Sequence, residues 1–412
     1  MKPKSNAQQM RKAAVLCCLL LCSVLLGGCW DRREVNDVAF VMGTGLDKEG
    51  DQYRVTMQIA LPGQLGSSGS TGGGGGTSGT KSYYLESKIG PSFRGASTEE
   101  QRGVSRTLNY SHRRVLLFGE ALAREGISKM MDVLARVPQN RLSSLVVITK
   151  GSTMELLQAD APIEQYPAEM VRELNISYMK KPRSVKLLMN SVLLEGVDPV
   201  VPVMSLVKNG PPNLKDKKTN IQVDGLAVFR KDRLTGIIDN HLSRFLLLGM
   251  EQAKETEIFI PPPKGRGYIS VHLIENKVQI KPHIQGDEIH IQGDEIRMTI
   301  HMNCNGNMKE NETSFDISNE ENLKWLEQQT AEEIKRELGE AVQVIQQKYR
   351  SDVLGLGRAI ITSQPDEWKR IKPQWEQLYP KVKVTINPVV HIENIGAVTK
   401  PFGVKKEQIQ NE

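Results

Sequence analysis

The residue best placed to do chemistry is Cys29, which follows Leu26-Gly27-Gly28 at the end of an apolar run. Small residues in front of a thiol suit both cleavage of the backbone and acylation of the sulfur, as in a bacterial lipobox. The Cys29 sulfur would take a diacylglycerol and then head the mature chain. Upstream stand Lys2, Lys4, Arg11 and Lys12, followed by 14 uncharged residues from Ala13 to Leu26. A membrane-crossing helix needs about 20 apolar residues, so this run reads as the core of a cleaved leader spanning residues 1–28. The expected result is a body in water tethered to a membrane at Cys29; an ordinary secretory signal that happens to end at a cysteine is the plainer reading.

Other candidate chemistry is weaker. Gly74, Gly76 and Gly79 formally match a dinucleotide fingerprint, but no helix opens after them, and any glycine run produces such matches. One heptad stands twice in tandem, from His283 to Ile289 and from His290 to Ile296. It can be read as a metal site, with Asp287, Glu288, Asp294 and Glu295 joining His283 and His290. It can equally be read as an enlarged hairpin loop, since Gly286 and Gly293 favour turns and loops accept insertions at small entropic cost. Asp352 fits a turn better than a ligand set. The sequence contains no nucleophile elbow, no HExxH and no Walker loop. No catalytic residue, cofactor or metal is therefore assigned.

Cysteine use agrees with export. Of five cysteines, Cys17, Cys18 and Cys22 leave with the leader and Cys29 is acylated. Cys304 alone remains, so the mature chain forms no internal disulfide and no cysteine-based zinc site. Cys304 is expected to be a buried apolar side chain. The formal charge of +6 becomes +2 once the four leader cations are removed, which is not the footprint of a nucleic-acid binder.

Positioning elements follow from periodicity. Strands are expected over 38–45, around Val55, Met57 and Ile59, and over 81–88, 112–118 and 144–149, with helices between them. Residues 66–80 hold only Gly, Ser and Thr, the composition of a flexible loop. Ser97-x-x-Glu100 reads as a capping box opening a helix to about residue 109, and Ser152-x-x-Glu155 as another. Further helices are expected over 120–137, broken at Gly126, and over 184–194. Strands over 221–229 and 233–238 and a helix over 241–250 follow. Strands near 268–274, 277–280 and 296–301 come next. Ser318-x-x-Glu321 is expected to open the longest helix, at about 319–350, with glycines of 351–357 closing it. Trp368 and Trp375 then pin a helix to the sheet ahead of a strand over 381–387. Together these give an α+β (mixed α/β) fold of three domains, with mixed sheets packed by helices. The expected boundaries are 29–210, 211–266 and 267–400, with a polar tail at 401–412.

Several segments, in order along the chain, resemble the Ger(x)C spore-germination lipoproteins. They are Cys29 to Asp37, His112 to Ile127, Asp224 to Phe229 and Gln347 to Gly357, together with the pair Trp368 and Trp375 before a terminal strand. The departures are the 66–80 loop and the duplicated heptad. The resemblance implies the C subunit of a nutrient germinant receptor, a non-catalytic accessory protein lipid-anchored at Cys29 to the outer face of the spore inner membrane. It implies partnership with a multi-spanning A subunit and a transporter-like B subunit, and leaves open whether the nutrient touches this chain. Two other classes stay open from the residues alone. One is a lipoprotein solute-binding protein serving a transporter, although no internal repeat marks two similar lobes. The other is an envelope hydrolase.

Overall fold

The computed structural model describes residues 10–18, 34–61, 81–137, 139–209, 218–284 and 296–396. Cys29, the 66–80 loop, most of the duplicated heptad and the 401–412 tail lie outside the described residues. Among the described helices none is long and apolar enough to cross a membrane.

Two sheets organise the chain, a mixed α/β architecture as the periodicity predicts. The first runs β3 (Tyr83–Gly90), β2 (Gln52–Ala60), β1 (Val38–Glu49), β5 (Val115–Gly119), β6 (Leu145–Thr149), β7 (Val200–Asn209), β8 (Lys218–Arg230), β9 (Arg233–Asp239), with β4 (Thr107–Asn109) also pairing β1. Its centre, β1-β5-β6-β7, is parallel and its flanks are antiparallel. A parallel centre must be covered on both faces, and β5 shows it in sequence: Val-Leu-Leu-Phe-Gly is buried throughout. Leu116 and Phe118 enter one core, Val115 and Leu117 the other. Helices α1 (Phe93–Gly103), α2 (Glu120–Glu125), α3 (Ser128–Arg136), α4 (Thr153–Leu157), α5 (Pro167–Tyr178) and α6 (Val185–Leu193) supply the covering layers.

Helix α7 (Asn240–Gly249) leads into the second sheet, ordered β10 (Thr256–Ile260), β11 (Ile269–Ile284), β12 (Ile296–Asn311), β13 (Lys383–Asn394). Between β12 and the parallel β13 run the long helix α8 (Glu320–Gln343) and the short helices α9 (Leu356–Ser363), α10 (Pro365–Ile371) and α11 (Trp375–Leu378). In β12 Ile296, Met298, Ile300, Met302 and Cys304 are buried at every second position, the signature of a sheet with one covered face. Ile334, Leu338 and Val342 of α8 pack in the same core. Cys304 is the buried apolar residue expected, and burial pushes its thiol up to about 12.

Several local readings need correction. The cap of α1 is Ser92, whose hydroxyl accepts the Gly95 N–H at 3.0 Å. Ser97 and Glu100 lie on the buried face of that helix, and residues 107–109 form a strand instead of its last turn. Asn319, not Ser318, caps α8 by accepting the Asn322 N–H at 2.7 Å. That helix ends in a π turn over Val344–Tyr349, and the left-handed residue after it is Arg350 at φ 51°, not a glycine. The two strands expected at 268–274 and 277–280 are one, β11, with its irregularity at Leu273–Glu275. Helix α5 was missed because its apolar positions are interrupted by Arg172, Glu173 and Asn175.

The stretch 211–266 contributes to both sheets: β8 and β9 extend the first, β10 is the edge strand of the second, and Leu246 to Leu248 of α7 join the second core. Where β9 meets the second half, Gly236 lies under the Tyr349 ring. A Cβ there would sit 1.9 Å from Tyr349 Cε1, and the Tyr349 hydroxyl donates to Ile237 O at 2.9 Å. Gly236→Ala must displace the ring and its hydrogen bond, so a loss of about 2 kcal/mol or more is expected in denaturant melts. Gly339→Ala in α8 meets nothing nearer than 4.0 Å and should stabilise by about 0.5–1 kcal/mol.

Candidate functional site

A chain with two sheets can act as a unit only if something locks them together, and here the lock is a pair of aspartates, Asp352 buried and Asp198 half-buried. Gly196-Val-Asp198-Pro199 turns the chain into β7, the Arg230–Arg233 hairpin joins β8 to β9, and Ser351 to Gly357 links α8 to α9. Asp198 accepts the Lys231 N–H at 2.9 Å on one oxygen and the Asp352 N–H at 2.8 Å on the other. Asp352 accepts the Leu356 and Gly357 N–H groups, each at 2.8 Å. The Asp198 N–H donates to Asp352 O at 2.9 Å, and the Arg358 N–H to Gly196 O at 2.7 Å. Ser351 Oγ donates to Phe229 O, and the Tyr379 hydroxyl to Ser351 O at 2.7 Å.

Every oxygen of the two carboxylates is engaged by a backbone donor, so Asp352 is the turn-former that its sequence context suggested. Burial is the main influence on both. It pushes Asp352 up to about 7, the backbone donors pull it back, and the neighbouring Asp198 charge raises it further. Asp198 is raised by burial as well. Gly196 is required here: its φ is +73°, and a Cβ would fall 2.6 Å from Arg358 N.

Beside this lock opens a cleft of about 490 Å³, with Glu195, Arg230, Lys231, Trp368, Lys372 and Trp375 in its wall. Two ion pairs cross it, Lys372 to Glu195 at 2.6 Å and Lys231 to Glu376 at 2.9 Å. They are solvent-exposed pairs of the kind worth under about 1 kcal/mol. Trp368 and Trp375 meet edge to face with centroids 5.4 Å apart, and both belong to the second core. Trp368 Nε1 donates to Glu195 at 3.4 Å.

A second mouth of about 480 Å³ opens at the carboxyl ends of β1, β5 and β6, where α/β sheets commonly hold ligands. Its central acid, Asp47, accepts both the Thr153 N–H at 3.1 Å and the Thr153 hydroxyl at 2.6 Å. Its other charges are paired: Lys48 with Glu125 at 2.9 Å, Arg54 with Glu49 at 2.8 Å, Arg124 with Glu120 at 2.6 Å. Among the described residues no three His, Cys, Asp or Glu side chains come together as metal ligands would. The heptad carboxylates Asp287, Glu288, Asp294 and Glu295 and the proposed acylation site Cys29 fall outside the described residues.

Sequence reasoning singled out Asp352 and the two tryptophans but missed Asp198, Gly196 and Glu195. The only signal for Asp198 is its place in a Gly-x-Asp-Pro turn, which marks a bend and not a partner 154 positions away.

Comparison with known proteins places these features in context. Residues 31–206 match the family described as "Spore germination protein N-terminal domain", and residues 224–396 match "Spore germination B3/ GerAC like, C-terminal". The Bacillus subtilis (strain 168) protein YfkR is 37% identical over 393 residues, covering 95% of this chain and 99% of its own. Spore germination protein KC of the same organism is 25% identical over 413 residues, covering 95% and 98%. The crystal structure of the GerBC protein shares the fold, with a TM-score of 0.52 and 17% identity, over 88% of this chain and 100% of its own.

Proposed function

The chain belongs to the Ger(x)C family of spore germination proteins, and from that membership we propose that it is the lipid-anchored C subunit of a nutrient germinant receptor. It is a non-catalytic accessory and scaffold protein on the outer face of the spore inner membrane, acting with an A and a B subunit. The observation that carries this reading is end-to-end likeness to spore germination protein KC, which spans both sheets and the lock between them. Two features support it. The Leu26-Gly27-Gly28-Cys29 signal supplies an anchor. The carboxylates of the lock are committed to backbone donors, which suits a rigid scaffold more than a reaction centre.

We keep the division at about 211 and 267 as part of the proposal. The middle segment, whose strands β8 and β9 extend the first sheet and whose helix and strand β10 belong with the second, is the piece that would couple the outer two. The direct test is affinity purification of the tagged chain from detergent-solubilised spore inner membrane. The A and B subunits should co-purify in comparable amounts, and spores lacking the chain should lose the response to one nutrient class while germinating normally with others. Purification of the chain without either subunit would contradict the proposal.

A further inference from the structure

Parallel pairing brings the amino ends of β1, β5 and β6 to one edge of the first sheet. Gly43 of β1, Val115 of β5 and Leu145 of β6 stand side by side there, two strand spacings or about 10 Å from first to last, and Val38, which opens β1, lies five residues further out along its strand. Helix α6 is tied to that edge: the Val146 N–H donates to Arg183 O at 2.7 Å and the Lys186 N–H to Leu142 O at 2.9 Å. Between Glu173 and Glu195 the sequence carries Lys180, Lys181, Arg183 and Lys186 and no acid. Lys181, Lys186 and Arg141 are exposed.

Apolar side chains stand among these cations. Leu142, Leu187 and Leu194 are exposed, and Leu193 is 81% exposed. Helical spacing puts Lys186, Leu187, Asn190 and Leu193 on one stripe of α6, with Leu194 just past its end, while Val185 and Leu188 are buried on the other. Cations beside leucines on an exposed helix face form the pattern of a helix lying at a lipid–water interface. The tether leads to the same place. Cys29 precedes Glu34 by five residues, a reach of at most about 18 Å.

We infer that the edge formed by Arg141, Lys181, Lys186 and the leucines on and beside α6 rests on anionic phospholipid headgroups, orienting the body on the bilayer. The inference builds on acylation at Cys29, which would hold this edge at the membrane. The leucines enter the headgroup layer while the cations meet phosphate. No acidic protein surface is needed as partner.

The test uses the processed chain from residue 29 with Cys29→Ser, so that no acyl group contributes. Co-sedimentation is measured with vesicles of phosphatidylcholine alone and with about 30 mol% phosphatidylglycerol added. The chain should bind the second and not the first, and release at about 0.5 M salt. Each cation at an anionic surface strengthens binding roughly fivefold, so Lys181→Ala/Lys186→Ala should weaken it about 25-fold. Leu187→Ser/Leu193→Ser should weaken it as well, whereas Lys277→Ala/Lys281→Ala on the open face of the second sheet should not. Lys181 and Lys186 are exposed, so melting of the first pair should match the parent. Equal binding to both vesicles, binding to neither, or a lysine pair that binds like the parent would overturn the inference; a surface built for a protein partner predicts binding to neither. The mass of the processed chain from spores tests the anchor separately. An unacylated Cys29 with intact vesicle binding would remove the tether and leave the surface standing.

Discussion

Cys29→Ala, exported behind a leader that is cleaved without acylation, is expected to lose its salt-resistant hold and to leave the spore membrane almost entirely in a high-salt wash. Each buried methylene of an acyl chain contributes about 0.8 kcal/mol, so a diacylglycerol contributes well over 10 kcal/mol, whereas one chain alone holds a protein only marginally. What remains in the variant is the cationic edge around α6, an attachment that salt screens. The parent should therefore resist a high-salt wash and the variant should not. Mass spectrometry should find diacylglycerol on the parent's Cys29 sulfur alone. Germination through the receptor should fall at least tenfold, because a subunit free to diffuse loses the high effective concentration a shared membrane provides. Normal germination with a wholly soluble variant would show that the anchor is dispensable and would remove the main support for a membrane scaffold.

The elements were legible in sequence wherever period and burial agreed. In β12 alternation is regular from Ile296 to Cys304 because one face is covered and the other wet. In β5 an unbroken apolar run marks a strand covered on both faces. Gly126 breaks the helix at the expected place because it adopts φ +128°. Caps were less legible, since Ser-x-x-Glu occurs wherever polar residues line a helix. Ser97 and Glu100 match it from inside α1, on the face against the sheet. Glu100 is fully buried there, and burial pushes its carboxyl up to about 9; a rule built for exposed first turns does not foresee a buried acid. The lock was invisible for a different reason. Asp198 and Asp352 lie far apart in sequence, and each is unremarkable in its own turn. Only the docking of the Ser351–Gly357 segment against the start of β7 makes them neighbours.

That docking predicts the largest stability effect in the folded body. Asp352→Ala leaves the Leu356 and Gly357 N–H groups without the partners they have at 2.8 Å. A buried donor without a partner costs about 1–3 kcal/mol, so a loss of about 3–5 kcal/mol is expected with the small cavity included. Asp352→Asn should cost less, because its single oxygen can still accept one of the two donors. The same site sets a pH dependence. Burial holds the folded carboxyl at about 7 against an ordinary value of 3.8. Between those values the unfolded chain has already released its proton while the folded chain keeps it. The native state then binds more protons, and stability must fall as pH rises from about 4 to about 7, levelling above that. Asp352→Asn has no proton to release and should show a shallower slope over this window in urea melts. Hydrogen exchange should locate the damage: in Asp352→Ala the amides of 352–358 should exchange faster while those of β5 stay protected. A variant within about 0.5 kcal/mol of the parent, or one that keeps the full pH slope, would mean that the two halves are held by their apolar contacts and not by the aspartate pair.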